Sequence, residues 1–402
     1  MRNRVTFLGL IACLVTLSSF SQQEEERKVN QDFQLELEFE YRYFVDEGQF
    51  PGQVDNFPSF AVSPEYNISW NDDYESINAK AFFRLDVDDH RTHWDIRELY
   101  YQKVKDNWEL NLGLKKVYWG VAESNHLVDI INQTDVVESF DGEEKLGQPM
   151  VQYSYITRKI GTFNFFYLPY HRKITFPGEK GRLRFPVVIE KDDITYESGA
   201  EEWHQDFAVR WKHYFGIFDV GLSHFYGTGR APFFTFNSSG EIEAYYPIIN
   251  QTGVELQMTI SELLIKSETI YRSSKAEDFT ALVAGFEYTF GNIKNSGIDV
   301  GVLSEYLYDS RGDLSLTGLE NDVFVGSRIG FNDVQSTQIL IGGIFDLEKT
   351  SKVFSIEASR RLGETFKMEL EGRLFSDIAE NEFIFSNFKN DSFIGATIFK
   401  YF

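Results

Sequence analysis

Four stretches of this 402-residue chain carry side chains that could do chemistry. "DVDDHRTHWD", residues 86–95, sets His90 and His93 three apart among Asp86, Asp88, Asp89 and Asp95. Imidazoles and carboxylates so spaced can ligate a transition metal. The same residue types also populate turns between strands, and the turn is the preferred reading here. "GLSHFYGTG", 221–229, puts Ser223 beside His224, the side chains of a serine hydrolase. Neighbours on a strand point to opposite faces, so these two cannot pair with each other. "GEKGRLRF", 178–185, offers Lys180, Arg182 and Arg184 to an anion, but acids follow closely and a solvated loop is the simpler account. No metal, cofactor or catalytic residue is expected.

The fourth stretch is "WGVAESNHLVDIINQTDVVESFDGEEKLGQ", 119–148. Its acids are Glu123, Asp129, Asp135, Glu138, Asp141, Glu143 and Glu144, against a single base, Lys145. It is also apolar at Leu127, Val128, Ile130, Ile131, Val136 and Val137. An exposed loop has no use for so many branched aliphatics, so the segment is expected to fold inward against a wall, as a constriction or plug. There its carboxylates would favour cations.

The elements that must position such a loop are strands. "DFQLELEFEYRYF", 32–44, alternates strictly: Phe33, Leu35, Leu37, Phe39, Tyr41 and Tyr43 on one parity, Glu36, Glu38, Glu40 and Arg42 on the other. "FKMELEGRLF", 366–375, repeats the pattern, with Lys367, Glu369, Glu371 and Arg373 opposite Phe366, Met368, Leu370 and Leu374. Segments of this kind recur to the last residue, about ten residues each, the length of a tilted membrane strand. Eighteen are expected, with sixteen the alternative count. Their connections are short on one side (106–107, 261–262, 363–364) and mostly long on the other (45–60, 119–148, 171–203, 227–249). That asymmetry belongs to a transmembrane antiparallel β-barrel with periplasmic turns and extracellular loops. The apolar parity then meets lipid, and Glu36, Glu38, Glu40, Arg42, Lys367, Glu369, Glu371 and Arg373 face the lumen. The wall's inward charges are nearly balanced in sign. In the last strand, Ile394, Ala396, Ile398 and Phe402 share one face and Phe393, Phe399 and Tyr401 the other, which leaves its orientation open.

Trp119-Gly120, eight residues, then Asp129, Asn132 and Asp135 resembles a loop of several porin-like outer-membrane families, W-G, eight residues, D-x-x-N-P-x-D. Gln133 stands where those families have proline. The resemblance implies an outer-membrane channel, trimeric or monomeric, often of unassigned substrate, and the expected function is passive diffusion of small solutes. Glu123, Asp129, Asn132 and Asp135, with Trp119 and Gly120, become its candidate constriction, pinning the turn or touching solute. A specific transporter of hydrophobic or oligomeric nutrients, a barrel enzyme such as a lipase, and a structural or adhesive surface protein are the alternatives.

The amino terminus fixes the compartment. Arg2 and Arg4 precede an apolar run ending in Ser19-Phe20-Ser21, a signal peptide expected to be cleaved after Ser21. A lipobox ending at Cys13 is the lesser alternative. Residues 22–32 read as a periplasmic lead-in and 33–402 as one barrel domain. Cys13 is the only cysteine, so the mature chain forms no disulfide. A net charge of -23 excludes nucleic acid as a partner. The expected partners are outer-membrane lipid, lipopolysaccharide, small solutes and further copies of the chain, in the outer membrane of a Gram-negative cell.

Overall fold

A computed structural model describes residues 29–191, 194–236 and 242–402. The signal peptide, and the lead-in up to residue 28, lie outside these residues. In chain order the strands are β1 (Asn30–Phe44), β2 (Asn56–Trp70), β3 (Glu75–Leu85), β4 (His93–Lys105), β5 (Trp108–Lys115), β6 (Gln148–Thr157) and β7 (Gly161–Leu168). Next come β8 (Ile194–Tyr196), β9 (Asp206–Phe215), β10 (Phe218–Thr228), β11 (Phe233–Phe236), β12 (Ile242–Tyr246), β13 (Ile248–Ile260) and β14 (Leu263–Ser274). The chain finishes with β15 (Asp278–Phe290), β16 (Asp299–Asp309), β17 (Asn321–Gly330), β18 (Gln338–Asp346), β19 (Lys352–Leu362), β20 (Phe366–Ser376) and β21 (Phe393–Tyr401).

Eighteen of these form one antiparallel sheet. It closes because β1 pairs with β21, from Glu36 opposite Tyr401 to Phe44 opposite Phe393. Closure leaves no edge, which is what a sheet in lipid requires. The short turns bend where Asn and Asp accept the left-handed region: Asn71, Asp72 and Asp73 after β2, Asn292 and Asn295 after β15. The long connections gather at the other rim. There β8, β11 and β12 form a small separate sheet, Ala244–Tyr246 running parallel to Ile194–Tyr196. Two segments expected as plain loops, 171–203 and 227–249, supply it.

Burial runs opposite to that of a water-soluble protein. In β1, Phe39 is 53% exposed and Tyr41 41%, while Glu40 is 4% exposed. In β20, Leu370 is 42% exposed and its neighbours Glu369 and Glu371 are half-buried. An exposed apolar band around a charged interior is stable only with lipid outside. The last strand resolves its orientation the same way. Ile394, Ile398 and Phe402 are exposed, and Phe393 is buried against Phe44. Near the short turns the band ends in aromatics, Trp108, Tyr155, Phe215 and Phe290 among them, and the Trp211 indole N–H donates to the Ile160 carbonyl at 2.7 Å.

One strand breaks its own alternation. The register between β3 and β4 slips at Lys80/Ala81, leaving Arg97 as an extra residue between Ile96 and Glu98. Such a bulge re-aims side chains. Here Trp94 and Ile96 face out, Arg97 is buried inward, and Leu99 faces out again.

Candidate functional site

Residues 116–147, between β5 and β6, do not extend from the rim. They lie within the barrel and bond to its wall at β1, β3, β4, β14, β16, β17 and β20. The motif residues hold the loop's own ends. The backbone N–H groups of Trp119 and Gly120 donate to Asp129 Oδ1 at 2.6 and 3.0 Å. Asn132 Oδ1 accepts from the Val117 N–H, and Asn132 Nδ2 donates to the carbonyls of Lys115 and Leu146. One amide thus ties the exit from β5 to the approach to β6. Gly120 has no room for a side chain, since a Cβ there would sit 2.4 Å from the His126 ring. Trp119 is buried against Phe166, with the Arg210 guanidinium 5.4 Å from its ring. Gln133, at the position the similar families give to proline, is buried. It donates to the Arg172 carbonyl and the Tyr246 hydroxyl, joining the loop to the outer sheet. Its own Oε1 accepts from the Thr134 N–H.

Two wall glutamates grip the first half of the loop. Glu268 of β14, fully buried, accepts from the backbone N–H groups of Val121 (2.6 Å), Ala122 (2.8 Å) and Val128 (3.1 Å). Glu305 of β16 accepts from the N–H groups of Glu123 and Ser124 and from the Ser124 hydroxyl. Sequence alternation marks both as inward-facing, but nothing local marks them as acceptors for a loop more than a hundred residues away. The second half inverts the arrangement. Asp135 meets Arg97 at 2.5 Å, and Glu138 meets Arg84 at 2.9 Å with Arg91 at 3.9 Å. Arg84 and Arg91 also bind Glu38 and Glu40 of β1, so loop and wall form one buried network.

The remaining loop acids are paired as well. Glu123 lies between Arg328 and Lys266, Asp141 on Arg373, Glu143 on His126 and Glu144 on Lys116. Six of the seven acids thus face a basic side chain, and Asp129 serves backbone donors. The cation preference expected from a free acidic loop loses most of its source, because wall bases together with the loop's own Lys116 and His126 offset the charge. Of the wall charges read as lumenal, Arg373 joins Glu371, Glu357 and Asp141, while Arg42 binds Glu40 and donates to the Glu138 carbonyl. Lys367 pairs with Glu369. Glu36 lines a smaller cavity of about 380 Å³ with Glu65, Lys80 and Tyr401.

In the other candidate stretches the side chains make contacts within the fold. His90 Nδ1 contacts the Phe176 carbonyl and His93 Nδ1 the Arg91 carbonyl, while Asp88 accepts from the Gly178 N–H and Asp86 binds Arg91. No group of three or more metal-ligating side chains forms among the described residues. His224 points outward onto Thr252, and Ser223 points inward against Gly253. The solvated reading of 178–185 is corrected at two positions. Arg182 is buried on Asp391, Asp55 and two carbonyls, and Arg184 on four carbonyls, stapling the loops above the lumen. Six carbonyls and two carboxylates in one place need such donors, and the sequence gives no sign of that convergence.

Between the loop and the wall from β14 to β21 a cavity of about 1020 Å³ remains. No protein-family model matches the chain, and no curated protein matches it. Among solved structures it is similar to a BenF-like porin from Pseudomonas fluorescens Pf-5, at 8% identity and a TM-score of 0.53, covering 93% of this chain and 98% of that one. It is also similar to Wzi of Escherichia coli, described as a carbohydrate-binding β-barrel involved in group 1 capsule assembly. That match has 9% identity and a TM-score of 0.56, covering 92% of this chain and 84% of Wzi. The fold is that of a bacterial outer-membrane barrel. Its exposed apolar band makes it a multi-pass protein of that membrane, crossing with strands.

Proposed function

We propose that this outer-membrane barrel is a porin-like channel for passive diffusion of small solutes, with the loop at 116–147 as its constriction. The observation that carries the reading is the loop's position: it is fixed across the lumen by wall charges and leaves a cavity of about 1020 Å³ beside it. An eighteen-stranded barrel is wide enough for an aqueous path once one loop narrows it. Lipid and lipopolysaccharide surround the apolar band, and the reading assigns the chain no catalytic step. The motif residues Trp119, Gly120, Asp129, Asn132 and Asp135 pin the constriction, and Glu123 faces the cavity directly. Purified protein in a planar bilayer should pass a steady ion current, and deletion of 121–144 should enlarge the unitary conductance. Absence of current from both proteins, each shown to be folded, would end the reading.

A feature of the cavity favours a selective form of the same function. Ile174, Phe176, Phe185, Phe234, Phe279 and Leu340 line it, where a general diffusion pore would present mainly polar groups. Apolar walls with a few placed charges are the usual make-up of a binding pocket.

A further inference from the structure

The acids lining this cavity are matched by bases or backbone donors, but two of its bases, Lys145 and Arg272, meet no carboxylate, and a third, Arg230, is paired with Asp206 and keeps one open donor. Lys145 is 7% exposed, and its ammonium makes one bond, to Thr134 Oγ1 at 3.1 Å. No carboxylate lies within 4 Å of it among the described residues. Arg272 gives its Nε and Nη2 to one neutral acceptor, Gln251 Oε1, at 2.8 and 2.6 Å. It too has no carboxylate within that reach. Asp309 and Glu277 nearby are taken by Arg311. Arg230, 6% exposed, uses Nε on the Ile131 carbonyl and Nη1 on Asp206 and the Thr228 carbonyl, while its Nη2 is buried with no partner. All three side chains line the one cavity. Buried cationic donors left open cost free energy unless an acceptor meets them.

The apolar side of the cavity adjoins these donors. Ile270 is two residues before Arg272 on the same inward face, and the Arg272 guanidinium lies 5.2 Å from the Phe279 ring. Phe234 stands on the outer sheet above. An anion alone would use the donors and leave the apolar wall wet. An apolar solute would leave the donors open. A molecule with both parts satisfies both surfaces.

We propose that the cavity binds an organic anion, its carboxylate held by Lys145, Arg230 and Arg272 and its apolar body lying against Ile270, Phe279 and Phe234. The site rests on the channel reading only for its access to solute. The loop supplies Lys145 and the backbone that holds Arg230, so the constriction is also part of the selectivity device. Guanidinium and ammonium groups recognise a carboxylate through charge-assisted bonds, and the low-dielectric wall strengthens them.

Calorimetry of the detergent-solubilised full barrel with hexanoate, acetate and hexylamine tests this. Hexanoate should bind, acetate at least about tenfold more weakly, and hexylamine not measurably. Arg272→Gln and Lys145→Gln should each weaken hexanoate about tenfold, the loss of one charge-assisted bond. Phe279→Leu should narrow the preference for hexanoate over acetate while acetate affinity stays. Lys145→Gln removes only the bond to Thr134, so it separates loss of binding from loss of folding. Equal binding of hexanoate and hexylamine, or unchanged affinity in both charge variants, overturns the site. Channel current is recorded on the same preparations. Binding without current would sink the channel reading and keep the site, and current without binding would do the reverse.

Discussion

The two halves of the loop are held by charges placed in opposite senses. Over 121–128 the wall supplies the carboxylates, Glu268 and Glu305, and the loop supplies backbone N–H groups. Over 135–138 the loop supplies the carboxylates, Asp135 and Glu138, and the wall supplies Arg97, Arg84 and Arg91. The first arrangement satisfies orphan backbone donors that a loop inside a barrel would otherwise bury unpaired. The second neutralises buried side-chain charge. Both hold the loop, but they differ in what breaks when one partner is lost. Removing a wall acid strands amides, whereas removing a wall base strands a charge.

The largest effect should come from the first half. Glu268→Ala leaves three backbone N–H groups without an acceptor, at about 1–3 kcal/mol each before relaxation. A loss of about 4–6 kcal/mol in loop anchoring is expected, seen as proteolytic cleavage within 121–128 and as larger, noisier single-channel current. Glu268→Gln keeps one acceptor oxygen and should fall between. If Glu268→Ala leaves both protease resistance and conductance as in the wild type, the wall carboxylate is not an anchor.

Arg97→Ala tests the second half. It uncovers Asp135 in a buried site, which typically costs about 3–5 kcal/mol. It also removes the guanidinium 4.4 Å from the Phe82 ring. Adding Asp135→Asn should restore part of the stability, because the stranded charge goes with it. A double variant less stable than Arg97→Ala, measured by urea unfolding in liposomes, would mean that the pair does not act as a pair.

The strands of this fold were legible because one face is apolar and the other polar at period two, and the barrel because turns and loops alternate in length. The anchors were less so. Arg97 escapes an alternation rule phased on Leu99 and Tyr101 because it is itself the extra residue of the bulge, although the shift of outward apolar residues from Trp94 and Ile96 to Leu99 and Tyr101 carries the signal. Glu268 and Glu305 sit on regular strands and look like any lumenal acid. Their role depends on which loop reaches them, a long-range contact with no local trace. The sheet of β8, β11 and β12 was missed because three to five residues show no period, and β8 also pairs with β12 fifty residues along the chain.

A smaller effect separates wall from lipid face. Leu370→Arg puts a charge on the exposed apolar band and should cost about 2–4 kcal/mol if it lies near the bilayer midplane. Glu371→Gln, one residue on, alters only one of three carboxylates around Arg373 and should cost under about 1 kcal/mol. Equal costs at the two positions, read from folding into liposomes, would remove the assignment of faces.

The smallest effect lies in the cap over the lumen, where charge is not so well matched. Glu382 is buried in the connection between β20 and β21. Burial raises its pKa to about 7, with Asp346 and Glu320 acting in the same direction and Ser351 and Lys349 opposing. Lys389, on the same connection, is occupied by Glu380. The folded cap therefore holds a proton that the unfolded segment, at the ordinary value of 4.5, gives up more readily. Its contribution is fully present below about pH 4.5 and is lost as pH rises through about 7. The loop halves below, where acid meets base or amide, should show no step in that window. Hydrogen exchange of 378–391, corrected for intrinsic rates, should quicken between pH 6 and pH 8 while that of 121–138 does not. Glu382→Gln, neutral at every pH, should abolish the step. A cap with the same pH profile in both proteins would place the titration elsewhere, and a step in 121–138 would break the contrast between a matched loop and an unmatched cap.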